Sequence, residues 1–255
     1  MDKWQKKGLI FNSNKNFDWM QSHAALPYAK NLKRDIFRVY FTTRDIHNRS
    51  HTAFVDININ NPSKILNISK KPILKPGNLG CFDDSGAMGC CLVDYNKSRY
   101  MYYVGWNLGV LVPFRYSIGL AIGNNSIKEN YKKIDGPILD RSIYDPCLIA
   151  SPFVIRENEK WKMWYVSGVK WELEGTIPKH YYHIKYAESE DGINWIRVGK
   201  VCIDFKSKKE YAFSRPCVIK ENEIYKMWYS YRGQKYRIGY AESQDGIKWK
   251  RLDKK

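Results

Sequence analysis

One strand pattern occurs four times along the chain, and this repetition constrains the fold more than any other feature of the sequence. The alternating aromatic segment at 39–41 recurs at 101–103, 163–165 and 227–229, so that successive copies lie 62, 62 and 64 residues apart. A repeated unit of this kind does not bury its apolar side chains alone and packs against its neighbours instead. The sequence therefore predicts an array of similar units.

Each unit contains further strand segments around the aromatic one. An apolar segment precedes it at 24–27, 88–93, 151–155 and 215–219, and a third segment follows it at 52–55, 118–121, 184–187 and 238–241. Polar turns join the first two segments into a hairpin. In the last two units an Asp-Gly turn, at 191–192 and 245–246, leads into a short fourth strand that carries a Trp. Four antiparallel strands repeated around an axis form a propeller blade.

Four full units account for most of the chain, and one segment is left over. Residues 4–11 resemble the segment that follows the Asp-Gly turns. Either a fifth blade is irregular, or this N-terminal strand helps to close the ring. Because all-β propellers often reach about 250 residues as one unit, we expect residues 1–255 to form a single domain.

The charge balance and the cysteines restrict the partners and the compartment. With 43 basic and 26 acidic residues the chain carries a formal charge of +17, which favours anionic partners. No nucleic-acid-binding motif accompanies this charge, so we do not expect a nucleic acid as partner. No apolar run approaches the ~18 residues of a membrane span, and the N-terminus lacks the features of a signal peptide. We expect a cytoplasmic protein without a membrane span.

Metal and cofactor sites are not expected. The six cysteines form no Cys-x-x-Cys pair, which argues against a zinc ribbon and favours reduced, mostly buried thiols. His180 and His183 lie three residues apart in a strand-like region, a spacing that places them on opposite faces. They are therefore poor joint metal ligands.

Three motifs resemble a known group of propellers. They are the segment 151–155 (Ser-Pro-Phe-Val-Ile), the segment 162–165 (Lys-Met-Trp-Tyr) and the segment 186–195, which reads Tyr-Ala-Glu-Ser-x-Asp-Gly-Ile-x-Trp. These motifs look like those of the superfamily of arabinanases, levansucrases and invertases, which includes glycoside hydrolase families 32, 43, 62, 68 and 130. The resemblance covers nearly the whole chain and implies an all-β, five-bladed β-propeller of four-stranded antiparallel blades. It also implies glycosyl chemistry at an axial funnel, with carboxylates from the innermost strands.

The carboxylates of that family are only partly present. The arabinanase-like pattern resembles Asp-Pro in the first blade and Glu-Gly-Pro in a later one, whereas the corresponding segments here are 22–24 (Ser-His-Ala), 150–152 (Ala-Ser-Pro) and 214–216 (Ser-Arg-Pro). Glycoside cleavage needs one carboxylic acid and a second carboxylate. We expect Asp84 to be the base or nucleophile, Asp45 or Glu210 the acid or a positioning group, and His23 an alternative proton carrier. In the alternative interpretation the acids cap turns or pair with arginines.

Arginine and tryptophan side chains are the candidate ligand-binding groups. Since an Arg fork binds carboxylate or phosphate with two hydrogen bonds, several of them at a funnel favour an anionic sugar or a nucleotide sugar; the alternative is that they brace loops. Exposed indoles at the rim are suited to stacking on sugar faces. The predicted substrate-binding residues are Arg44, Arg49, Asp83, Trp106, Asn107, Ser151, Trp171, Arg215 and Arg232.

Three functions remain compatible with the sequence. The first is a glycoside hydrolase-like enzyme that acts on an anionic sugar, which requires two carboxyl groups about 5–9.5 Å apart. The second is an intracellular glycosyltransferase or nucleotide-sugar-modifying enzyme of surface-polysaccharide biosynthesis, which requires one acid or His beside an Arg cluster and an aromatic slot. The third is a non-catalytic glycan-binding propeller, with a stacking platform alone.

Overall fold

The structure is a computed structural model that describes residues 5–13, 15, 17–126 and 129–253. Sixteen β-strands form all the regular secondary structure of these residues, and no helix occurs among them. The strands group into four antiparallel units of four, blades 1 to 4, so the predicted all-β class and the predicted repeat are confirmed.

The strand bounds follow the repeat. Blade 1 contains β1 (Ser22–Lys33), β2 (Ile36–Arg44), β3 (Ser50–Asn58) and β4 (Asn61–Ile68). Blade 2 contains β5 (Gly86–Tyr95), β6 (Ser98–Leu108), β7 (Phe114–Asn124) and β8 (Tyr131–Lys133). Blade 3 contains β9 (Ile149–Glu157), β10 (Lys160–Glu174), β11 (Ile177–Ser189) and β12 (Ile196–Ile203). Blade 4 contains β13 (Ala212–Glu221), β14 (Ile224–Arg232), β15 (Tyr236–Ser243) and β16 (Lys250–Arg251).

The same cross-strand pair marks the middle of every blade. One member of the pair lies on the second strand and the other on the third. Because successive side chains of a strand point to opposite sides, both members face the same side of the blade, and their neighbours in sequence face the other side. The four pairs are Tyr40 with Phe54, Tyr102 with Leu120, Trp164 with Tyr186, and Trp228 with Tyr240. These pairs define the far face of each blade, which in blades 1 to 3 is directed toward the next blade in chain order. The opposite side is the near face.

Apolar packing between far and near faces joins consecutive blades. Tyr40 and Phe54 of blade 1 share a core with Met101 and Tyr103 of blade 2. Tyr102 of blade 2 shares one with the blade 3 side chains, and Trp164 of blade 3 shares one with Met227 and the rest of the blade 4 near face. Burial of aromatic side chains of this size supplies most of the stability of such an interface.

The Asp-Gly turns cap the aromatic residue of the preceding blade. In blade 3 the Asp191 carboxylate accepts the backbone N–H groups of Ile193 and Asn194, both at 2.8 Å, which closes the turn and aims the Gly192 carbonyl outward. Tyr102 donates its hydroxyl to this carbonyl at 2.8 Å. The corresponding turn of blade 4 presents the Gly246 carbonyl to the indole nitrogen of Trp164 at 2.7 Å. These turns are therefore part of the blade interfaces.

Two details of the strand prediction are wrong. In the described part of segment 4–11, residues 5–11 form no strand; Trp4 lies outside the described residues. Instead Phe11 packs on Phe41 with ring centroids 5.1 Å apart, and Met20 is fully buried, so the N-terminal segment covers the near face of blade 1. The Trp after each Asp-Gly turn also lies just before its fourth strand and not within it.

The inner strands β1, β5, β9 and β13 surround one axis. β1 contacts β5, β5 contacts β9, and β9 contacts β13. Between β13 and β1 the described residues include one hydrogen bond, in which the Arg215 guanidinium donates to the Pro27 carbonyl at 2.6 Å. β1 and β13 contain more exposed residues than β5 and β9 do. All four inner strands contribute side chains to a cavity on the axis.

Candidate functional site

The axial cavity has a volume of about 440 Å³ and is lined by all four blades. Its lining includes polar and charged groups as well as an apolar floor. The polar, charged and aromatic lining residues are His23, Thr42, Arg44, Ser50, Phe114, Tyr116, Ser151, His180, Tyr182, Ser214, Arg215, Ser230 and Tyr236. A concave site of this kind is where propeller and barrel folds place small ligands.

Bulges in the inner strands direct side chains toward the axis. In three blades the residue before a proline has a left-handed backbone, with φ of 54° at Leu26, 45° at Ser151 and 56° at Arg215. The register shifts fall at these residues, and a bulge re-aims the side chains of a strand. The strand register therefore makes Leu26-Pro27, and not the segment 22–24, the equivalent in blade 1 of Ser151-Pro152 in blade 3. His23 occupies a second left-handed position of β1, with φ of 66°.

Two arginines, Arg44 and Arg215, line the cavity together with His23. Arg44 lies over the Trp106 ring, 5.7 Å from its centroid, and donates to the side-chain oxygen of Asn48 at 2.7 Å. No carboxylate pairs with Arg44 or Arg215 among the described residues. Burial, and then the charge of Arg44, lower the pKa of His23 below its ordinary value. The imidazole is therefore neutral at pH 7 and lies close enough to Arg44 to feel its charge.

An aromatic side faces the cavity from blades 2, 3 and 4. One position of the third strand supplies Tyr116, Tyr182 and Tyr236, each paired with the residue of the second strand that corresponds to Arg44. Phe114 stacks on Tyr116 with centroids 4.3 Å apart, and His180 stacks on Tyr182 at 4.8 Å. These rings offer planar surfaces for a sugar face or a base. We call Phe114, Tyr116, His180 and Tyr182 the aromatic wall.

The remaining polar groups of the cavity are hydroxyls. The side chains of Ser151 and Ser214 lie 3.2 Å apart and share a hydrogen bond. Thr42 is 3% exposed, and no group of the described residues forms a hydrogen bond with its hydroxyl oxygen, a state that costs free energy unless a ligand or water satisfies it. No Asp or Glu belongs to the lining among the described residues. The cavity can thus bind an anion and stack a ring.

The carboxylate of Asp45 is bound by residues that follow it closely in sequence. Its carboxylate accepts hydrogen bonds from Arg49 at 3.0 Å and from His51 at 3.1 Å. Burial opposes ionisation of this carboxyl group, but the bonds from His51 and Arg49 outweigh burial and lower its pKa. Asp45 and Arg49 therefore form an ion pair, as the alternative interpretation of the sequence expects.

Asp84 lines a second, shallower cavity of about 410 Å³ together with Arg49, Ser85 and Asn107. Its carboxylate accepts hydrogen bonds from the Asn107 amide at 2.8 Å and the Ser85 hydroxyl at 2.9 Å. Burial raises the pKa of Asp84, but these bonds outweigh it and the net shift is downward. Three predicted site residues, Arg49, Asp84 and Asn107, are thus brought together, outside the axial cavity.

Asp83 belongs to a cluster that recurs in other blades. It is buried, accepts the Tyr103 hydroxyl at 3.1 Å and the Lys133 ammonium at 2.6 Å. Asp145 meets Tyr165 and Arg197 in blade 3, and Asp253 meets Tyr229 and Arg251 in blade 4. The repetition indicates a common structural role for the three Tyr-Asp-cation clusters.

Glu210 and Arg232 lie outside the axial cavity as well. Arg251 donates to both carboxylate oxygens of Glu210 at 2.9 Å. Burial opposes ionisation of Glu210, but the bonds from Arg251 prevail and lower its pKa. Arg232 lies over the rings of Tyr211 and Tyr236, 5.4 and 5.0 Å from their centroids. It supports the Tyr236 ring from outside the cavity.

The two predicted rim tryptophans differ from the expectation. Trp106 is 7% exposed and donates its indole N–H to the Ser50 hydroxyl at 3.1 Å, so it is a buried support for Arg44 and not an exposed platform. Trp171 packs edge-on against Phe114, 5.2 Å between centroids, at the back of the aromatic wall. The wall itself was missed, although alternation along β7 and β11 places its four residues on one face.

Within residues 5–13, 15, 17–126 and 129–253, no three His, Cys, Asp or Glu side chains come together in a way that could hold a metal ion. No helix long and apolar enough to cross a bilayer occurs in that part of the chain.

Two proteins of Mycobacterium tuberculosis are similar over almost the whole chain. The uncharacterized protein MT1551 of strain CDC 1551 is 41% identical over 254 residues, which cover 98% of this chain and 83% of the relative. The uncharacterized protein Rv1502 of strain H37Rv is 40% identical over the same shares. The chain belongs to the family of these mycobacterial proteins. No family model matches it.

Solved structures of glycoside hydrolases share the fold of this family. A glycosyl hydrolase from Bacteroides ovatus superposes with a TM-score of 0.70 and 16% identity, covering 98% of this chain and 79% of that one. The sucrose-6-phosphate hydrolase of Lactobacillus gasseri superposes with a TM-score of 0.68 and 13% identity, covering 90% of this chain and 47% of that one. At these identities the likeness concerns the fold. The chain therefore has the propeller-type fold of these glycosidases, as the sequence motifs indicated.

Proposed function

We propose that this protein is a carbohydrate-active enzyme that transfers a glycosyl group from an anionic sugar, one whose anomeric carbon carries a phosphate or a nucleoside diphosphate. The observation that carries the proposal is the composition of the axial cavity. Arg44, Arg215 and a neutral His23 line it together with the aromatic wall.

The chemistry follows from these groups. In the proposed step the bond between the anomeric carbon and the phosphate oxygen breaks, and a bond to the oxygen of an acceptor hydroxyl forms. The His23 imidazole takes the proton of that hydroxyl. The two guanidinium groups stabilise the negative charge that collects on the leaving phosphate. A phosphate leaves as an anion, so this reaction does not depend on a carboxylic acid to protonate the leaving oxygen.

The aromatic wall supports a ligand with a planar or apolar face. Stacked rings such as Phe114 with Tyr116 present large apolar surfaces at low entropic cost. A sugar ring or a nucleotide base packed there keeps the phosphate within reach of Arg44 and Arg215. One structural neighbour is named as a hydrolase of sucrose-6-phosphate, which is an anionic sugar; the proposal assigns a ligand of the same charge class to this chain.

Glycoside hydrolysis is the second candidate function. The fold of the structural neighbours favours it, but it needs two carboxyl groups. Asp84 suits the part of base or nucleophile better than Asp45 and Glu210 do, because its side-chain partners Ser85 and Asn107 are neutral and its lowered pKa keeps it ionised. The acid would then come from Asp45 or Glu210, each of which is paired with an arginine.

The test combines binding with turnover. Thermal unfolding is measured with neutral arabino- and fructo-oligosaccharides, sugar 1-phosphates, and UDP-, GDP- and CMP-linked sugars. A ligand at ~100 times its dissociation constant adds about 2.7 kcal/mol of stability. We expect stabilisation by the anionic ligands alone, reduced in Arg44→Ala and in Arg215→Ala. Stabilisation and cleavage of neutral oligosaccharides would overturn the proposal in favour of hydrolysis, and tight binding without turnover of any donor would leave a glycan-binding propeller.

The architecture that goes with this function is a five-position ring. We propose that blades 1 to 4 form one domain and occupy four positions, and that Phe11, Phe17, Trp19 and Met20 fill the part of the fifth position beside blade 1. The packing of Phe11 on Phe41 supports this arrangement.

A further inference from the structure

The two ends of the blades differ in the loops that they carry. The axial cavity is lined by residues near the starts of first strands, the end of β2 and the starts of third strands, as at Ser151, Arg44 and Tyr116. The loops that join second to third strands, and those that lead into first strands, therefore lie at the cavity. We call this side of the molecule the mouth end, and Tyr236, which lines the cavity there, is 61% exposed.

Blades 1 and 2 expose large apolar side chains at the mouth end. They belong to loop 45–49 after β2, to segment 69–85 before β5, and to the connection from β6 to β7 around loop 109–113. The exposed side chains are Ile46 at 72%, Leu79 at 99%, Leu108 at 73%, Val110 at 95% and Leu111 at 89%. Leu79 and Leu108 line the same shallow cavity, so their segments are neighbours. Apolar side chains grouped in this way mark an interaction site.

The β10–β11 hairpin of blade 3 continues this apolar group. Leu173 and Ile177, at the tip of the hairpin, are 72% and 70% exposed. Trp171 of the same hairpin contacts Phe114, which directly follows loop 109–113, with ring centroids 5.2 Å apart. The apolar tips of blades 2 and 3 are therefore adjacent.

Blade 4 contributes cations to the mouth end. Five exposed basic residues come from the loop before β13, the turn after β14 and the start of β15: Lys206, Lys208, Lys209, Lys235 and Arg237. Four of them line one cavity of about 630 Å³. At the opposite end of the blades, the turns between first and second strands hold polar and charged residues, at 34–35, 96–97, 158–159 and 222–223. Apolar tips and a cluster of cations thus occur together at the mouth end.

We propose that the mouth end docks on an anionic lipid bilayer. The apolar tips lie at the boundary between head groups and acyl chains, and the cations of blade 4 lie against the anionic head groups. The tips go no deeper, because irregular backbone in hydrocarbon leaves its polar groups without partners. This inference goes beyond the proposed function, since it concerns the surface around the cavity and not the reaction inside it.

The charge of the chain selects this partner. Binding of a protein surface to a bilayer increases with the apolar area that is buried and with the attraction of basic residues to anionic lipids, and the mouth end supplies both. A second copy of this chain fits less well, because the formal charge of +17 makes two copies repel each other.

The test measures co-sedimentation of the full chain with phosphatidylcholine vesicles, with and without phosphatidylglycerol. We expect binding to the vesicles that contain phosphatidylglycerol. Val110→Ser combined with Leu111→Ser removes two apolar side chains and should lower the partition coefficient by about 100-fold or more. Ile196→Ser combined with Val198→Ser is the matched control. These residues are 69% and 64% exposed on β12, Ile196 pairs with the end of β11 remote from the cavity, and the partition coefficient should not change.

A second pair of variants tests the cations. Lys208→Ala combined with Lys209→Ala should lower the partition coefficient by about 30-fold, because each basic residue near an anionic bilayer adds to binding. Lys33→Ala combined with Lys97→Ala removes the same charge from the opposite end of the blades and should change the partition coefficient much less.

Three results would overturn the proposal. The first is the absence of binding to vesicles that contain phosphatidylglycerol. The second is equal binding of each double variant and its control, since the net charge alone then explains the attraction. The third is a dimer in sedimentation velocity that Val110→Ser with Leu111→Ser disrupts, which would assign the apolar tips to a second copy. Stabilisation by a soluble sugar 1-phosphate is measured on the same variants, so that a failure of docking is distinguished from a failure of the proposed function.

Discussion

The charged groups of the axial cavity differ from those of the surrounding loops in whether they are paired with an opposite charge. In the loops three buried acids each have a cation: Asp83 meets Lys133, Asp145 meets Arg197, and Asp45 meets Arg49. In the cavity Arg44 and Arg215 have no carboxylate partner among the described residues, and they contact an amide, an aromatic ring, a backbone carbonyl and the Cys90 thiol. The chain therefore places its acids in the loops and leaves cations on the axis.

This difference shows why the number of acids in a repeat is a poor guide to its chemistry. A buried carboxylate that is paired and hydrogen-bonded belongs to the framework, because removing it leaves a buried cation without a partner. A guanidinium group with free donors on a cavity wall can bind the carboxylate or phosphate of a ligand. Four predictions test this difference between the loops and the cavity, from the largest expected effect to the smallest.

The largest effect is expected from Asp145→Ala. Asp145 is fully buried and accepts hydrogen bonds from Tyr165 at 3.2 Å and from Arg197 at 2.9 Å, with Lys185 at 3.5 Å. The substitution leaves these cations without a counter-charge, and breaking a buried pair costs about 3–5 kcal/mol. Urea unfolding measures the loss. The exposed Asp35→Ala serves as the control and should change stability by less than about 0.5 kcal/mol; equal losses for the two variants would contradict the structural role of the cluster.

The second effect is a loss of ligand affinity in Arg44→Ala. A hydrogen bond to a charged group contributes about 1.5–3 kcal/mol, so the dissociation constant of a sugar phosphate should rise by about 10- to 150-fold. Titration calorimetry measures it, and the urea midpoint should change little because no carboxylate depends on Arg44. Arg141→Ala is the matched control, since this arginine is exposed and lies outside the cavity. An unchanged dissociation constant for Arg44→Ala would place the ligand elsewhere.

The third effect is a pH dependence that arises from His23. Burial, and then the Arg44 charge, lower the pKa of His23 below its ordinary value of 6.5. Protonated imidazole cannot accept the acceptor's proton, so kcat/KM for glycosyl transfer should be constant at neutral pH and fall as the pH drops through this lowered pKa. Arg44→Gln removes one of the two causes and should move the midpoint toward 6.5. A profile without an acid limb, or one that His23→Gln leaves unchanged, would exclude His23 as the base.

The repeat could be predicted because it depends on patterns between residues that are close in sequence. Strand alternation places Tyr40, Tyr102, Trp164 and Trp228 at equivalent positions, and the structure confirms all four strands that carry them. The bulges could not be predicted, because a register shift at Leu26 or His23 depends on the packing of the whole inner strand. For the same reason segment 22–24 was aligned with the wrong residues.

The site was predicted in part. Arg44, Arg215, His23 and Ser151 do line the axial cavity; His23, Ser151 and Arg215 lie on inner strands, and Arg44 ends β2. Trp106 was expected at the surface, but burial depends on what covers a side chain from the neighbouring loop. The aromatic wall of β7 and β11 was missed because each of its residues is unremarkable in sequence, and only the packing of two blades brings them together.

The smallest effect is expected from Glu210→Gln, and it decides whether a loop acid has a catalytic part. Arg251 keeps its hydrogen bond to Asp253 at 2.8 Å when the Glu210 charge is removed, and the amide oxygen remains an acceptor, so stability should fall by only about 1 kcal/mol. Turnover should be unchanged, because Glu210 lies outside the axial cavity. A group that transfers a proton in the reaction contributes about 10²–10⁴-fold to the rate. A loss of that size in Glu210→Gln, with the small change in stability, would return this acid to the reaction and hydrolysis to the first place among the candidate functions.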